Sequence, residues 1–322
     1  MPCPPVLILA FNRPANVRRV IDALRLVKPK QLFFAIDGER PSHPDDASNC
    51  RAVRALTTEI DWPCEVKTFF RESNRGCKYA PPEAITWFFS HVEAGVILED
   101  DCVPTPDFLH FADEMLERYR LAPNVGVIGG NNCHGFQSDK SASYFFSRYA
   151  PIWGWATWRR AWSAYDVDMA PYVKRLDEIH NRLGHSRRFR KHWWKYVDYV
   201  RKGGNTWDVQ WWMALFANNL LAVCPKCNLV ANIGFAAEST HTSFEYGSER
   251  YSKTGRLDFP LTHPQAIQED ADADRKFEKH YISLWRRGMT FIGARSGRTG
   301  RNVAEAVFKI ESLFCRIIKL LT

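Results

Sequence analysis

The first hundred residues alternate between short apolar runs and longer segments with apolar positions three and four apart. Val6–Ala10 is a continuous apolar run of strand length. Pro14 then opens a segment whose Val17, Val20, Ile21 and Leu24 fall on one helical face. Leu32–Ile36 predicts a second strand ending at Asp37-Gly38, Asp46–Glu59 a helix, and Val66–Phe70 a third strand. Pro82–His91 reads as a helix and Gly95–Leu98 as a fourth strand. This strand–helix rhythm predicts a mostly parallel sheet covered by helices.

In such sheets ligands bind at the carboxyl ends of the strands, so the residues just after each strand are the ones to weigh. They are Asn12-Arg13, Asp37-Gly38, Glu72 to Lys78 and Glu99-Asp100-Asp101, every tip polar or charged. The last is the most informative. Three successive acids after a buried strand repel one another unless a cation neutralises them, and oxygen ligands suit Mg²⁺ or Mn²⁺. The plain alternative is that they cap the helix starting near Thr105–Asp107 or sit solvated in a turn. Arg75 and Lys78 sit on a neighbouring loop with the charge to hold a diphosphate, or form a solvated basic loop.

Beyond Gly126 the character changes. Val125–Ile128 predicts a further strand, followed by the loop Gly129-Gly130-Asn131-Asn132. Aromatic density then rises through Tyr144–Phe146 and Trp153-Gly154-Trp155-Ala156-Thr157-Trp158. Arg187–Arg201 is a basic, aromatic helix, and Trp207-Asp208 heads another. Asn228–Thr242 reads as loop. Arg286 to Arg301 is rich in Gly and Arg and expected to be mobile, whereas Val303, Val307, Ile310, Phe314, Ile317 and Leu321 mark an amphipathic helix. That helix suits dimerisation or peripheral contact with an anionic membrane.

Composition adjusts this picture in a few places. The chain has 322 residues, 14% of them aromatic with twelve Trp, and a net charge of +8 that favours anionic partners. No apolar run is long enough for a membrane span, and the first residues read as a strand rather than a signal peptide. Nine scattered Cys point to a reducing compartment. Cys224-Pro225-Lys226-Cys227 has no second half to complete a zinc site.

The segments Leu7-Ile8-Leu9-Ala10-Phe11-Asn12-Arg13-Pro14, Asp37-Gly38, Asn74-Arg75-Gly76 and Leu98-Glu99-Asp100-Asp101 resemble the nucleotide half of GT-A glycosyltransferases. The nearest likeness is to bacterial nucleotide-diphospho-sugar transferases related to N-acetylglucosaminyltransferase I. It extends through Trp153–Trp158, Thr206–Trp211 and Asn228–Gly234 to Thr240-His241-Thr242, about residues 5–245. The resemblance implies a GT-A fold, an α/β architecture with a mostly parallel Rossmann-like sheet and a smaller acceptor-side subdomain. Residues 1–125 would be the nucleotide-sugar half, 126–275 the acceptor and catalytic half, and 276–322 a basic linker with the terminal helix.

It implies an inverting transfer of a sugar from a nucleotide diphosphate, most naturally UDP, to a glycan or lipid-linked glycan. Asp101 would ligate Mn²⁺ or Mg²⁺, with His241 completing the site or touching the diphosphate. Asp100 would lie near the ribose or sugar, with Glu99 beside it as a donor contact or structural support. Asp37 would contact the base, and Ala10, Phe11, Asn12 and Arg13 would hold the nucleoside. Asp208, among Trp207, Trp211 and Trp212, is the candidate general base, with Asp166, Asp168 and Glu238 as fallbacks. Its plain alternative is a helix cap. Trp155 and its neighbours would form a sugar wall or core. A cytoplasmic protein, peripheral at the inner face of a membrane, is the expected setting.

Three other readings compete, one of them a degenerate transferase fold acting as a scaffold, against which the retained three acids and Asp208 argue. Ser186–Lys195 interleaves basic and aromatic residues as single-strand nucleic-acid binders do, but no nucleic-acid module appears. A metal-dependent phosphoryl or nucleotidyl transferase would share the acids, yet neither a GxxxxGK[ST] loop nor a GxGxxG fingerprint is present.

Overall fold

The structure is a computed structural model and describes residues 3–132, 135–234 and 252–293. His241, Glu238, the stretch 235–242 of the expected loop and the terminal helix expected over 303–321 lie outside these residues.

Strands β1 (Val6–Ala10), β2 (Gln31–Ile36), β3 (Glu65–Phe70) and β4 (Ala94–Glu99) are joined by helices α1 (Pro14–Arg25), α2 (Asp46–Ala55) and α3 (Gly76–His91). They pair in parallel in the order β3-β2-β1-β4. The alternation of side chains along β1 divides the core in two. Val6 and Ile8 pack with Val17, Val20, Ile21 and Leu24 of α1 on one face. Leu7 and Leu9 meet Ala84, Ile85, Phe88 and Phe89 of α3 on the other. Burial on both faces explains why these strands read as unbroken apolar runs.

The sheet continues past β4 with a change of direction. Strands β5 (Cys102–Pro104), β6 (Val125–Gly129), β7 (Tyr144–Ser147), β8 (Trp155–Trp158), β9 (Leu221–Pro225) and β10 (Val230–Asn232) follow, with helix α4 (Pro106–Arg118) between β5 and β6. β8 inserts between β4 and β6, antiparallel to both. β6 pairs with β9 in parallel, and β7 closes the edge antiparallel to β9. The eight-stranded sheet is thus mostly parallel at one end and mixed at the other. It is the α/β, Rossmann-like architecture that the sequence predicts. β5 and β10 form a separate antiparallel pair, so part of the expected Asn228–Thr242 loop is strand.

Helices α5 (Arg159–Trp162), α6 (Ala170–Val173), α7 (Leu176–Arg182), α8 (Arg187–Arg201) and α9 (Asp208–Ala217) build a helical flank, closed by α10 (Ala271–Gly293). Ser186 caps α8 by accepting the Phe189 amide proton. Phe189, His192, Trp193, Val197 and Val200 turn inward, while Arg187, Arg188, Lys191 and Trp194 face solvent. Much of the basic–aromatic pattern is therefore amphipathic packing. α10 runs through Arg286 to Gly293, so the mobile stretch expected from Arg286 onward is helical in its first part. Gly288 and Arg286 alone do not break a helix that already carries fifteen residues N-terminal to them. Among the described residues no helix is long and apolar enough to cross a membrane.

The helical flank buries three imidazoles. His180 and His185 share an Nδ1–Nδ1 hydrogen bond of 2.8 Å, and both Nε2 atoms lack a partner. Burial pushes His180 and His192 down to about 4 and His185 to about 3. These groups stay neutral when folded but take up protons below pH 6.5 when unfolded, so stability falls as pH drops through that window and levels off near the folded values. Each should cost about 1–2 kcal/mol between about pH 7 and pH 5. Thermal melts at the two pH values check this, and a His180→Phe variant should show a shallower fall.

Candidate functional site

Strand order reverses between β1 and β4, and in such sheets ligands bind beyond the carboxyl ends of the strands at the switch point. β1 delivers Phe11-Asn12-Arg13 there and β4 delivers Glu99-Asp100-Asp101. Arg13 Nε donates to Asp100 Oδ2 at 3.1 Å, and its Nη2 donates to Asp100 Oδ1 in a two-pronged clamp. Arg13 Nη1 donates to Asp101 Oδ2 at 3.2 Å. The Asp100 side chain is 4% exposed and that of Asp101 15%. The three acids therefore differ. Asp100 is locked by Arg13, whereas Asp101 accepts one longer guanidinium contact and the Cys102 thiol at 3.5 Å, and reaches solvent.

Burial pushes the half-buried Glu99 up to about 8, reinforced by the charges of Asp101, Asp100 and Asp208, with Arg13 opposing. The neighbourhood thus contains four carboxylates and one guanidinium, an imbalance that an oxygen-seeking cation would relieve. Among the described residues no cluster of three or more His, Cys, Asp or Glu forms a ready cation cage. A hard divalent ion held by one or two carboxylates and by phosphate oxygens needs no such cage.

The acids do not cap the next helix. Thr105 does, its hydroxyl accepting from the Phe108 amide at 3.2 Å. The second wall of Asp101 comes from β10 and its continuation: Ile233 donates its N–H to the Asp101 carbonyl at 2.9 Å. A Cβ on Gly234 would lie 2.2 Å from Asp101 Oδ2. Gly234→Ala must therefore displace this carboxylate, and it is expected to weaken Mn²⁺ binding about tenfold, as losses beside ligands do. Titration of Mn²⁺ into the variant checks this, with an unchanged affinity counting against Asp101 as a ligand.

Asp37 follows β2 and is buried. Its Oδ1 accepts from Gly38 N at 2.9 Å and Arg75 N at 3.0 Å, and its Oδ2 from Arg75 N and Gly76 N, each at 3.2 Å. The carboxylate is thus spent on fixing the loop that starts α3. Gly38 lets the two segments approach, because a Cβ there would sit 2.3 Å from the Ser73 carbonyl carbon. Arg75 points its guanidinium to Glu83 at 3.1 Å and is half exposed. Lys78 is largely covered, 3.7 Å from Asp168. Asn12 donates to Asp46 at 2.6 Å, which Arg40 also clamps while lying over the Phe11 ring. The Arg40 and Asn12 hydrogen bonds outweigh burial and bring Asp46 down to about 2. Ala10 ends the interior strand β1, its carbonyl accepting from Asp37 N at 3.0 Å.

Asp208 begins α9, and its carboxylate accepts from the Thr206 hydroxyl rather than from a helix amide. Trp207 occupies the cap position without a side-chain bond. Trp207 and Trp211 anchor this turn in the core against Trp155, at centroid distances of 5.9 and 5.6 Å. Trp155 is completely buried, so it supports Asp208 from behind rather than offering a face to a sugar. Trp153 instead lines an open cavity. Asn205, just before this turn, accepts the Lys78 N–H at 2.9 Å and ties the α9 start to the α3 start. Asp166 holds its own turn by accepting from Asp168 N, and Asp168 is well exposed.

Sequence reading overlooked several members of the site. Cys77 has Glu99, Asp208 and Asp37 as charged neighbours; burial first and then these carboxylates push its thiol up to about 12. Tyr165, Tyr196 and Tyr281 also sense Asp208. A single Cys beside a Gly carries no pattern that could have marked it. Cys224 and Cys227 do not face a common point: the first is buried and contacts the Tyr149 carbonyl, the second the Arg256 carbonyl.

No protein-family model matches the chain, and no curated protein does. Among solved structures the chain is similar to HddC from Yersinia pseudotuberculosis, at 9% identity over 48% of this chain and 76% of that one, TM-score 0.31. It is similar to a protein from Bacillus anthracis described as a glucose-1-phosphate thymidylyltransferase, at 10% identity over 49% and 73%, TM-score 0.31. A third is 4-diphosphocytidyl-2C-methyl-D-erythritol synthase from Anaerococcus prevotii, at 8% identity over 54% and 77%, TM-score 0.30.

Proposed function

We propose that the protein is an inverting, divalent-cation-dependent glycosyltransferase that uses a nucleoside diphosphate sugar, most naturally a UDP-sugar. The observation that carries this reading is the proximity of Asp208, at the start of α9, to the Glu99-Asp100-Asp101 cluster after β4, close enough for its charge to act on Glu99. The motif resemblance to relatives of N-acetylglucosaminyltransferase I supports the same assignment.

Asp101, with Glu99 beside it, would hold Mn²⁺ or Mg²⁺. A bound cation of this kind neutralises a diphosphate as it departs. Arg13 fixes Asp100 through its two-pronged hydrogen bond and opposes the burial that pushes this carboxyl up to about 7, so that the strand tip keeps its shape when donor enters. Asp208 takes the proton of the acceptor hydroxyl. The acceptor oxygen forms the new bond to the anomeric carbon, and the bond from that carbon to the diphosphate oxygen breaks with its electron pair leaving on the nucleoside diphosphate.

A hydrolysis screen across nucleotide sugars, with and without Mn²⁺, tests the proposal. Release of nucleoside diphosphate from one donor, at least tenfold faster with Mn²⁺, is the expected result. Formation of pyrophosphate from a nucleoside triphosphate and a sugar phosphate would instead establish nucleotidyl transfer. A product with retained anomeric configuration would remove Asp208 as the sole base.

A further inference from the structure

Asp208 stands at the edge of a cavity of about 350 Å³ whose chemistry differs from that of the acid cluster. Phe145, Trp153, Tyr196, Trp212, Phe277 and Tyr281 line it, each half-buried, with Pro151, Ile152 and Val209 filling between the rings. Its size is that of a small-molecule site, which typically spans about 300–1,000 Å³.

The polar groups of this wall are already used by one another. Ser147 donates to Asp274 at 2.6 Å, and the other Asp274 oxygen accepts the Arg148 N–H at 3.1 Å. Tyr149 donates its hydroxyl proton to Glu278 at 2.6 Å, and the Trp212 indole donates to the Ala150 carbonyl at 2.9 Å. The Tyr196 and Tyr281 side chains lie beside each other, and their hydroxyls act on one another electrostatically. Among the described residues, the open polar groups include the second Asp208 oxygen, the amide oxygen of Asn132 at the rim, and the indole N–H of Trp193, which is 1% exposed.

A sugar brings about one hydroxyl per carbon, and each one stripped of water without a new partner costs free energy. A few open groups among so many rings serve one hydroxyl well and a polyol badly. An apolar body loses nothing in the same place, because the walls are ring faces and methyl groups.

We infer that the acceptor is an amphiphilic alcohol whose hydrocarbon body occupies this cavity while its reacting hydroxyl meets Asp208. The inference rests on the glycosyl-transfer reading for the role of Asp208, but the chemistry of the cavity stands apart from it. The oxygen of that alcohol bonds to the anomeric carbon, its proton passes to Asp208, and the nucleoside diphosphate leaves with the electron pair of the broken bond.

Octyl β-D-glucoside and methyl β-D-glucoside, which share a sugar and differ in the hydrocarbon, are the probes. Each is titrated into the full chain below the micellar range and followed by calorimetry and tryptophan fluorescence. Octyl glucoside is expected to bind saturably and at least tenfold more tightly than methyl glucoside. Ile152→Asn and Phe277→Asp should each weaken it at least tenfold. If either variant fails to fold the other decides, and if both fail the comparison of the two glucosides on the wild type decides.

Methyl glucoside or lactose binding as tightly as octyl glucoside would overturn the inference in favour of a glycan site. So would the absence of saturable octyl glucoside binding, whether the cavity is empty or filled by the chain itself, and so would equal binding by both folded variants. The same wild-type sample is assayed for donor hydrolysis. Hydrolysis without amphiphile binding refutes the cavity assignment alone. Amphiphile binding without hydrolysis of any donor refutes glycosyl transfer and leaves the apolar ligand standing.

Discussion

Replacing Asp208 with Asn is expected to lower kcat about a thousandfold while leaving donor KM and Mn²⁺ affinity within about threefold of wild type. A positioned base contributes about 10²–10⁴ in rate, and an amide cannot take a proton at neutral pH. The substitution is nearly isosteric, and the amide oxygen can still accept from the Thr206 hydroxyl. The surrounding turn is held by the buried rings of Trp207 and Trp211, not by the carboxylate. Loss of an acidic residue from the first turn of α9 should cost only about 0.5 kcal/mol through the helix dipole. A kcat within threefold of wild type, at saturating donor and acceptor, would sink the assignment. The reading of a mere helix cap is already disfavoured, since Asp208 bonds a side-chain hydroxyl and no helix amide.

The sheet order explains what the sequence could and could not disclose. The stripe Val17, Val20, Ile21 and Leu24 is local, and its buried face follows from helical spacing alone. The strand tips were legible for the same reason, because each is a polar break after an apolar run. What joins those tips is not local. Arg13 meets Asp100 only because β4 enters the sheet beside β1 rather than beside β3, a pairing no periodicity encodes. The fate of Asp37 was hidden similarly: its lone pairs are taken by Arg75 and Gly76 amides, which β3 and α3 bring back to it.

Trp153 and Trp155 show the limit of composition. Both lie in one aromatic motif, yet β8 buries Trp155 between neighbouring strands while Trp153, two residues earlier, stays half-buried beside the cavity. The antiparallel insertion of β8 decides this, and nothing in the spacing of the Trp residues announces it. α10 was misjudged for the opposite reason. Its Gly and Arg residues suggested mobility, but the helix is already long when it reaches them.

Asp101→Ala is expected to abolish Mn²⁺-dependent donor binding, at least a hundredfold in affinity, without unfolding the protein. Asp101 contributes one guanidinium contact at 3.2 Å, whereas the clamp on Asp100 holds Arg13 in place without it. Removing one of four neighbouring carboxylates also relieves repulsion, so the melting temperature should stay level or rise by a few degrees. Asp100→Ala predicts the reverse pattern. It removes the buried member of a part-buried guanidinium–carboxylate pair, Arg13 being 24% exposed, which costs about 1–3 kcal/mol, and the fold should weaken before any cation effect can be read. Mn²⁺ and nucleotide titrations paired with thermal melts on both variants separate the two roles. Undiminished Mn²⁺ and UDP binding in Asp101→Ala would refute the cation assignment. A destabilisation of Asp101→Ala as large as that of Asp100→Ala would show instead that all three acids serve the fold, and the division of labour drawn from Arg13 would fall with it.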